Sequence, residues 1–186
     1  MTKTYSISRE IGIDAGHRVS THGSVCANLH GHRYRILAHV VAIEVQTQGV
    51  QAAMVVDFGF LKELMKARID HVCDHGMIMY AEDPWLPKLL SSGISLDDIK
   101  QKLAAAPHVA IDEIPGVQTK LCVVPFVPTA EKLAEWWFGE LAEDVVKLSH
   151  DCARLHAVEV WETPNCQATF SPGGAVEELL RGRGVG

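Results

Sequence analysis

The chain has 186 residues, 47% of them hydrophobic and 22% charged, with a formal net charge of −6. That size and mix suit one globular domain with a buried core. They argue against a membrane span, because the apolar runs are far too short. They also argue against nucleic-acid binding, because the one basic run is the short Arg181-Gly182-Arg183 segment.

From the N-terminus, Met1 to Tyr5 leads into alternating residues rather than the apolar stretch of a signal peptide, so a cytoplasmic location is expected. Tyr5, Ile7, Ile11 and Ile13 alternate with more polar residues and read as a strand. Arg33 to Val45 reads as a second strand. Its face of Tyr34, Ile36, Ala38, Val40 and Ala42 is backed by Leu37, Val41, Ile43 and Val45, so burial on both sides or in a subunit interface is expected. Met54-Val55-Val56 reads as a short strand. Phe58, Leu61, Leu64, Met65 and Ile69 then follow helical spacing, with Asp57 at the N-cap position.

Residues 81–125 carry five prolines and one helical stretch near Leu96 to Ala105, and read as an insertion between core elements. Pro128-Thr129 opens the clearest helix, with Leu133, Ala134, Trp137, Phe138, Leu141, Val145 and Val146 on its apolar stripe. Thr129 is its expected N-cap, and Glu131 suits the positive helix end. Leu155 to Glu162 reads as a final strand. The pattern is α+β, an antiparallel sheet with helices on one face. It forms one domain over 1–170 with the 81–125 insertion, followed by a glycine-rich tail at 171–186 with a loosely held end.

The segment Cys26-Ala27-Asn28-Leu29-His30-Gly31-His32 places one thiol and two imidazoles together, with His17 just upstream. On a strand, residues two apart point to the same face, so His30 and His32 converge, with Gly31 leaving the backbone room. Three neutral imidazoles with an open position describe a catalytic zinc site. Cys26 is either a fourth ligand or a thiolate beside the metal. The five cysteines (26, 73, 122, 152 and 166) are an odd set and read as reduced thiols.

Glu162 is in phase with Val158 and Val160, on the apolar face of its strand, where a carboxylate is costly unless paired. Its partner is either an internal arginine or amide, or a ligand offering two N–H donors. Asp70-His71 and Asp74-His75 each pair a carboxylate with an imidazole in sequence, a combination suited to acid/base work. Neighbours on a strand face opposite ways, so neither dipeptide is expected to pair with itself. Arg18, Arg33 and Arg35 are the cations nearest the histidine motif.

The series Ala15-Gly16-His17, Cys26-x-x-x-His30-Gly31-His32, Val55-Val56-Asp57-Phe58-Gly59, Asp74-His75, Pro128-Thr129-Ala130-Glu131 and Val160-Trp161-Glu162-Thr163 resembles the 6-pyruvoyl-tetrahydropterin synthase family. Within it, the gap between Cys26 and His30 is that of the 6-carboxy-5,6,7,8-tetrahydropterin synthases. The resemblance implies a four-stranded antiparallel sheet with two helices on one face, the T-fold. It also implies trimers closed into a barrel and stacked as a hexamer, with active sites between subunits.

The resemblance further implies zinc on His17, His30 and His32, and a proton-transferring thiolate at Cys26. Asp74 and His75 would complete the relay, preferred over Asp70-His71 because the longer gap from Asp57 suits the family better. Glu162 would anchor a pterin ring, and Thr129 and Glu131 would line its pocket. The implied reaction converts 7,8-dihydroneopterin triphosphate into a 6-carboxy-tetrahydropterin, releasing triphosphate and acetaldehyde, for 7-deazaguanine (queuosine-type) synthesis. The alternatives are pyruvoyl-tetrahydropterin formation and zinc-dependent pterin binding without turnover.

Overall fold

Period-two alternation in the N-terminal segment produces two long strands, β1 (Tyr5–His17) and β2 (His30–Ala42). They pair antiparallel over their full length, from Tyr5↔Ala42 to His17↔His30. The computed structural model describes residues 3–90, 94–111 and 120–182. The face of β2 carrying Tyr34, Ile36, Ala38, Val40 and Ala42 is fully buried, and Ile11, Ile13 and Ala15 of β1 join it in the main core.

Three helices form the other side of that core. Asp57 caps α1 (Phe58–Met65), its carboxylate accepting from the Gly59 and Phe60 amides at 2.6 and 3.3 Å. A π-helical stretch, Lys66–Asp70, carries the same rod into a last turn, α2 (His71–Cys73). Leu61, Met65, Ile69 and Cys73 bury one stripe at four-residue spacing. The long helix α5 (Ala130–Leu148) buries Leu133, Ala134, Trp137, Leu141 and Val145 against the sheet, and Thr129 caps it by accepting from Lys132 N.

Among the described residues the sheet has seven strands, not the expected four. Its antiparallel part is β1, β2, β6 (Ala153–Thr163) and β7 (Cys166–Phe170). On the other side, β3 (Gly76–Tyr80) runs parallel to the end of β1. β5 (Leu121–Val124) runs parallel to β3, and β4 (Val109–Ile111) closes the edge. The sheet is therefore mixed.

The segment read as an insertion supplies this extension. Its helices α3 (Leu86–Leu89) and α4 (Leu96–Leu103) flank a second core of Met79, Leu86, Ile99, Val109, Ile111, Leu121 and Val123. Ser95 and Asp98 form a reciprocal capping box on α4.

Met54-Val55-Val56 is not a strand. It is an irregular turn pinned by Gln46, whose amide and side chain donate to the Met54 and Val55 carbonyls at 2.9 and 3.2 Å. A run that short cannot be told from a buried loop by periodicity. β2 also begins and ends three residues earlier than expected. In the tail, α6 (Ala175–Gly182) lays Ala175 and Leu179 over Val41, which accounts for part of the two-sided burial of β2. Residues 183–186 lie outside those described.

Candidate metal centre and its cleft

The β1–β2 ladder assembles the histidines. His17 ends β1 opposite His30, which begins β2, and His32 stands opposite Ala15. The ring centroids lie 4.5 Å (His17–His30), 5.2 Å (His17–His32) and 5.0 Å (His30–His32) apart. One ring nitrogen from each lies within 4.8 Å of the others, a group that one ion can bridge. Gly31 is required between the two ligands of β2, because a Cβ there would stand 2.9 Å from the Ala15 carbonyl oxygen.

Two of the rings are oriented from behind. His17 Nδ1 lies 2.7 Å from the Pro128 carbonyl, and His30 Nδ1 lies 2.9 Å from the Asn28 carbonyl. Nδ1–H donation leaves each Nε2 as the lone-pair nitrogen, the arrangement that orients metal-bound histidines. His17 Nε2 is buried and has no hydrogen-bond partner among the described residues. Burial, followed by the neighbouring rings of His30 and His32, pushes the His17 pKa down to about 4, although the Pro128 carbonyl acts the other way. Burial chiefly, then His30, also lowers His32. The neutral ligating form is therefore favoured. An orphaned buried nitrogen and three converging imidazoles suit a metal ion.

These histidines form the floor of a cleft of about 430 Å³. Cys26, Thr129, Glu131 and Glu162 line its walls. Cys26 sits in a 3₁₀ turn (Val25–Ala27), and its backbone carbonyl accepts from the Val19 amide at 2.8 Å. Its sulfur does not join the group of ligand nitrogens, which favours a wall position over a fourth ligand. Thr129 and Glu131 open α5 and face the cleft while they cap and charge the helix start.

Glu162 brings a half-buried carboxylate to 3.8 Å from His17 Nε2. Burial raises its pKa, and the charge of Glu131 raises it further. Beneath it, burial and then the Glu162 charge hold the Tyr34 phenol well above its ordinary value. Two carboxylates facing one cleft make a wall suited to ligand N–H donors.

Asp74 and His75 are not part of this cleft. The His75 side chain is 79% exposed. Contrary to the strand argument, the two do pair, with Nδ1 2.8 Å from Asp74 Oδ2. They occupy a break between α2 and β3, where His75 takes a φ of +54°, so the alternation of a strand does not apply. No side-chain bond joins Asp70 to His71 among the described residues.

The three candidate cations are each tied to a carboxylate. Arg18 is buried on Asp83 at 3.0 Å and stacks over Trp85. Arg33 pairs with Asp14, and Arg35 with Glu10 at 2.8 Å. The cleft also has walls that sequence reasoning missed: Val19, His22, Val25 and the β7 residues Cys166, Gln167 and Ala168. The position of His22 between His17 and Cys26 was an available signal. For β7, a strand without clear alternation, there was none.

The 6-pyruvoyl tetrahydropterin synthase family profile matches residues 6–173. The chain belongs to the 6-pyruvoyl tetrahydropterin synthase family. Among its relatives in this family, the 6-carboxy-5,6,7,8-tetrahydropterin synthase of Haemophilus influenzae is 28% identical over 160 residues, covering 86% of this chain and 94% of that protein. The enzyme of the same name from Aquifex aeolicus is 28% identical over 184 residues, covering 89% and 97%. That of Rickettsia conorii is 41% identical over 76 residues, covering 41% and 52%.

Among solved structures, an uncharacterised protein of Wolinella succinogenes superposes with a TM-score of 0.70 at 26% identity, covering 91% of this chain and 99% of that one. The 6-pyruvoyltetrahydropterin synthase of Plasmodium vivax superposes with a TM-score of 0.56 at 18% identity, covering 90% and 97%, and speaks for the fold alone. No described helix of this family member is long and apolar enough to cross a membrane.

Proposed function

We propose that this chain is a zinc-dependent 6-carboxy-5,6,7,8-tetrahydropterin synthase. It acts on 7,8-dihydroneopterin triphosphate and releases triphosphate and acetaldehyde, in the cytoplasm, for 7-deazaguanine synthesis. The observation that carries this reading is the convergence of three imidazoles, one with a buried and unpartnered nitrogen, on the floor of a cleft walled by Cys26 and Glu162. The names of relatives that match over most of their length support a 6-carboxy-tetrahydropterin product.

His17, His30 and His32 would hold the zinc. Bound there, zinc supplies a Lewis acid that acidifies substrate hydroxyls. Cys26, on the cleft wall, moves a proton at its sulfur to and from the substrate side chain. Glu162 receives the paired N–H donors of the pterin edge, and Thr129 and Glu131 border the ring. Asp74 and His75 form the relay, and their exposed position implies that they serve the cleft of a neighbouring copy. A homo-oligomer built from trimers, most simply a hexamer, would bring them there.

The family description favours one second reading, formation of the pyruvoyl product by triphosphate elimination without loss of carbon. Mass spectrometry of products from zinc-loaded protein and 7,8-dihydroneopterin triphosphate separates them. A 6-carboxy-tetrahydropterin with acetaldehyde supports the first reading, and the pyruvoyl compound supports the second. Retention of unchanged pterin leaves a binding protein.

A further inference from the structure

Besides the bond from the Asp74 amide to the Asp70 carbonyl at 2.8 Å, four hydrogen bonds hold the Asp74–His75 pair in an uncommon backbone shape. His75 has a φ of +54°, a region that non-glycine residues seldom adopt and keep only where surrounding contacts impose it. Asp14 N donates to Asp74 Oδ1 at 2.8 Å, and His75 N donates to Asp14 O at 2.7 Å. The third bond joins His75 Nδ1 to Asp74 Oδ2. The fourth comes from the inserted segment: Lys120 Nζ donates to the Asp74 backbone carbonyl at 2.9 Å.

Lys120 is built into this position. Its own carbonyl accepts from Met77 N at 2.9 Å, just before β5 pairs with β3 at Met77↔Leu121. It also lies directly over Gly76, where a Cβ would meet the Lys120 carbonyl oxygen at 3.1 Å and its Cγ at 3.2 Å. The ammonium forms no ion pair among the described residues. Burial works against the Asp74 charge, yet the Asp14 amide, His75 and Lys120 hold that carboxyl below its usual range.

We propose that Lys120 is a positioning residue for the Asp74–His75 pair, fixing the Asp74 backbone so that its carboxylate orients His75 and leaves Nε2 facing outward. A lysine that merely caps the last carbonyls of a helix is common. Here the carbonyl belongs to the residue whose side chain orients the imidazole, and the same cation favours the ionised carboxylate. The inserted segment thereby becomes a brace for the relay. The inference rests on the reading of Asp74–His75 as that relay.

The test compares Lys120→Met and Lys120→Arg in the full, zinc-loaded chain. The readouts are zinc content, kcat and KM with 7,8-dihydroneopterin triphosphate, and the ring ¹⁵N signals of His75. Lys120→Met should lower kcat by about 10- to 100-fold, the scale of losing an orienting partner, with KM and zinc unchanged and the His75 signals moved. Lys120→Arg, which keeps both donor and charge, should recover most of the loss.

Wild-type kcat and unmoved His75 signals in Lys120→Met would overturn the proposal. So would equal losses in both variants that track a drop in thermal stability. If Lys120→Met does not fold, Lys120→Gln, which keeps a donor without charge, takes its place. If the wild-type protein does not turn the pterin over, the functional reading fails, and the His75 signals alone decide the positioning role.

Discussion

His17 closes β1, His30 opens β2, and the two are direct partners across the ladder, their ring centroids 4.5 Å apart. The long connection between the strands therefore leaves and returns at the candidate metal centre. His32, opposite Ala15, adds the third ring from the same face.

That geometry offers an ion one nitrogen from each histidine. His30→Ala should lower zinc affinity by more than about 100-fold, since losing even a residue that merely orients a ligand costs 10- to 100-fold. Chelator competition monitored by metal analysis measures it. Stoichiometric zinc retained by His30→Ala would remove this residue from the ligand set.

The His17 pKa sets a pH dependence for the zinc-free protein. Its folded value, about 4, lies below the ordinary imidazole value of 6.5, so between those pH values the unfolded chain binds the proton and the folded chain does not. Stability is thus fully present above pH 6.5 and is lost as pH falls toward 4. The full span corresponds to roughly 3 kcal/mol. Urea midpoints of zinc-free wild type and His17→Gln, followed through that range, should show the steeper fall in wild type. Parallel slopes would contradict it.

Cys26 lines the cleft without joining the nitrogen ligands. Cys26→Ala should therefore keep zinc and bind pterin, while turnover falls by about 10²- to 10⁴-fold, the usual worth of a proton-transfer group. Steady-state kinetics beside metal analysis checks both halves. Loss of zinc in this variant would show that the sulfur is a ligand after all.

Glu162→Ala removes the carboxylate that faces the cleft near His17. Pterin affinity should fall by about 10- to 100-fold, the value of a charged hydrogen-bonded partner at 1.5–3 kcal/mol. Fluorescence titration with a non-reacting pterin reads it. An unchanged affinity would return Glu162 to a purely structural role.

The buried Arg18–Asp83 pair ties the residue after His17 to the inserted segment. Asp83→Ala leaves the Arg18 charge buried without its carboxylate and should destabilise the protein by about 3–5 kcal/mol. Denaturant unfolding measures this. A shift within about 0.5 kcal/mol, typical of surface substitutions, would mean that Arg18 finds solvent readily.

Local periodicity made much of this protein legible. The stripe of α5, that of α1 from Leu61 onward, the caps Asp57 and Thr129, and the buried face of β2 all lie where their residue spacing puts them, whereas Phe58, expected on the α1 stripe, is exposed. The histidine motif was legible for the same reason, because His30 and His32 share a face on any strand. The errors fall where a short apolar run has two readings. Met54-Val55-Val56 packs as a turn, while Gly76 to Tyr80 forms the strand that joins the inserted segment to the sheet.

The sequence by itself determined the candidate ligands, the starts of α1 and α5, and the family. These depend on residues close together along the chain, or on motifs in order. Tertiary structure alone decided that His17 meets His30, that β3, β5 and β4 widen the sheet, and that Arg18, Arg33 and Arg35 are already paired. It also set Asp74–His75 outside the cleft of its own chain. Each of these outcomes depends on register and on contacts between distant segments, which are selected by the packing of the whole core and not by any local period.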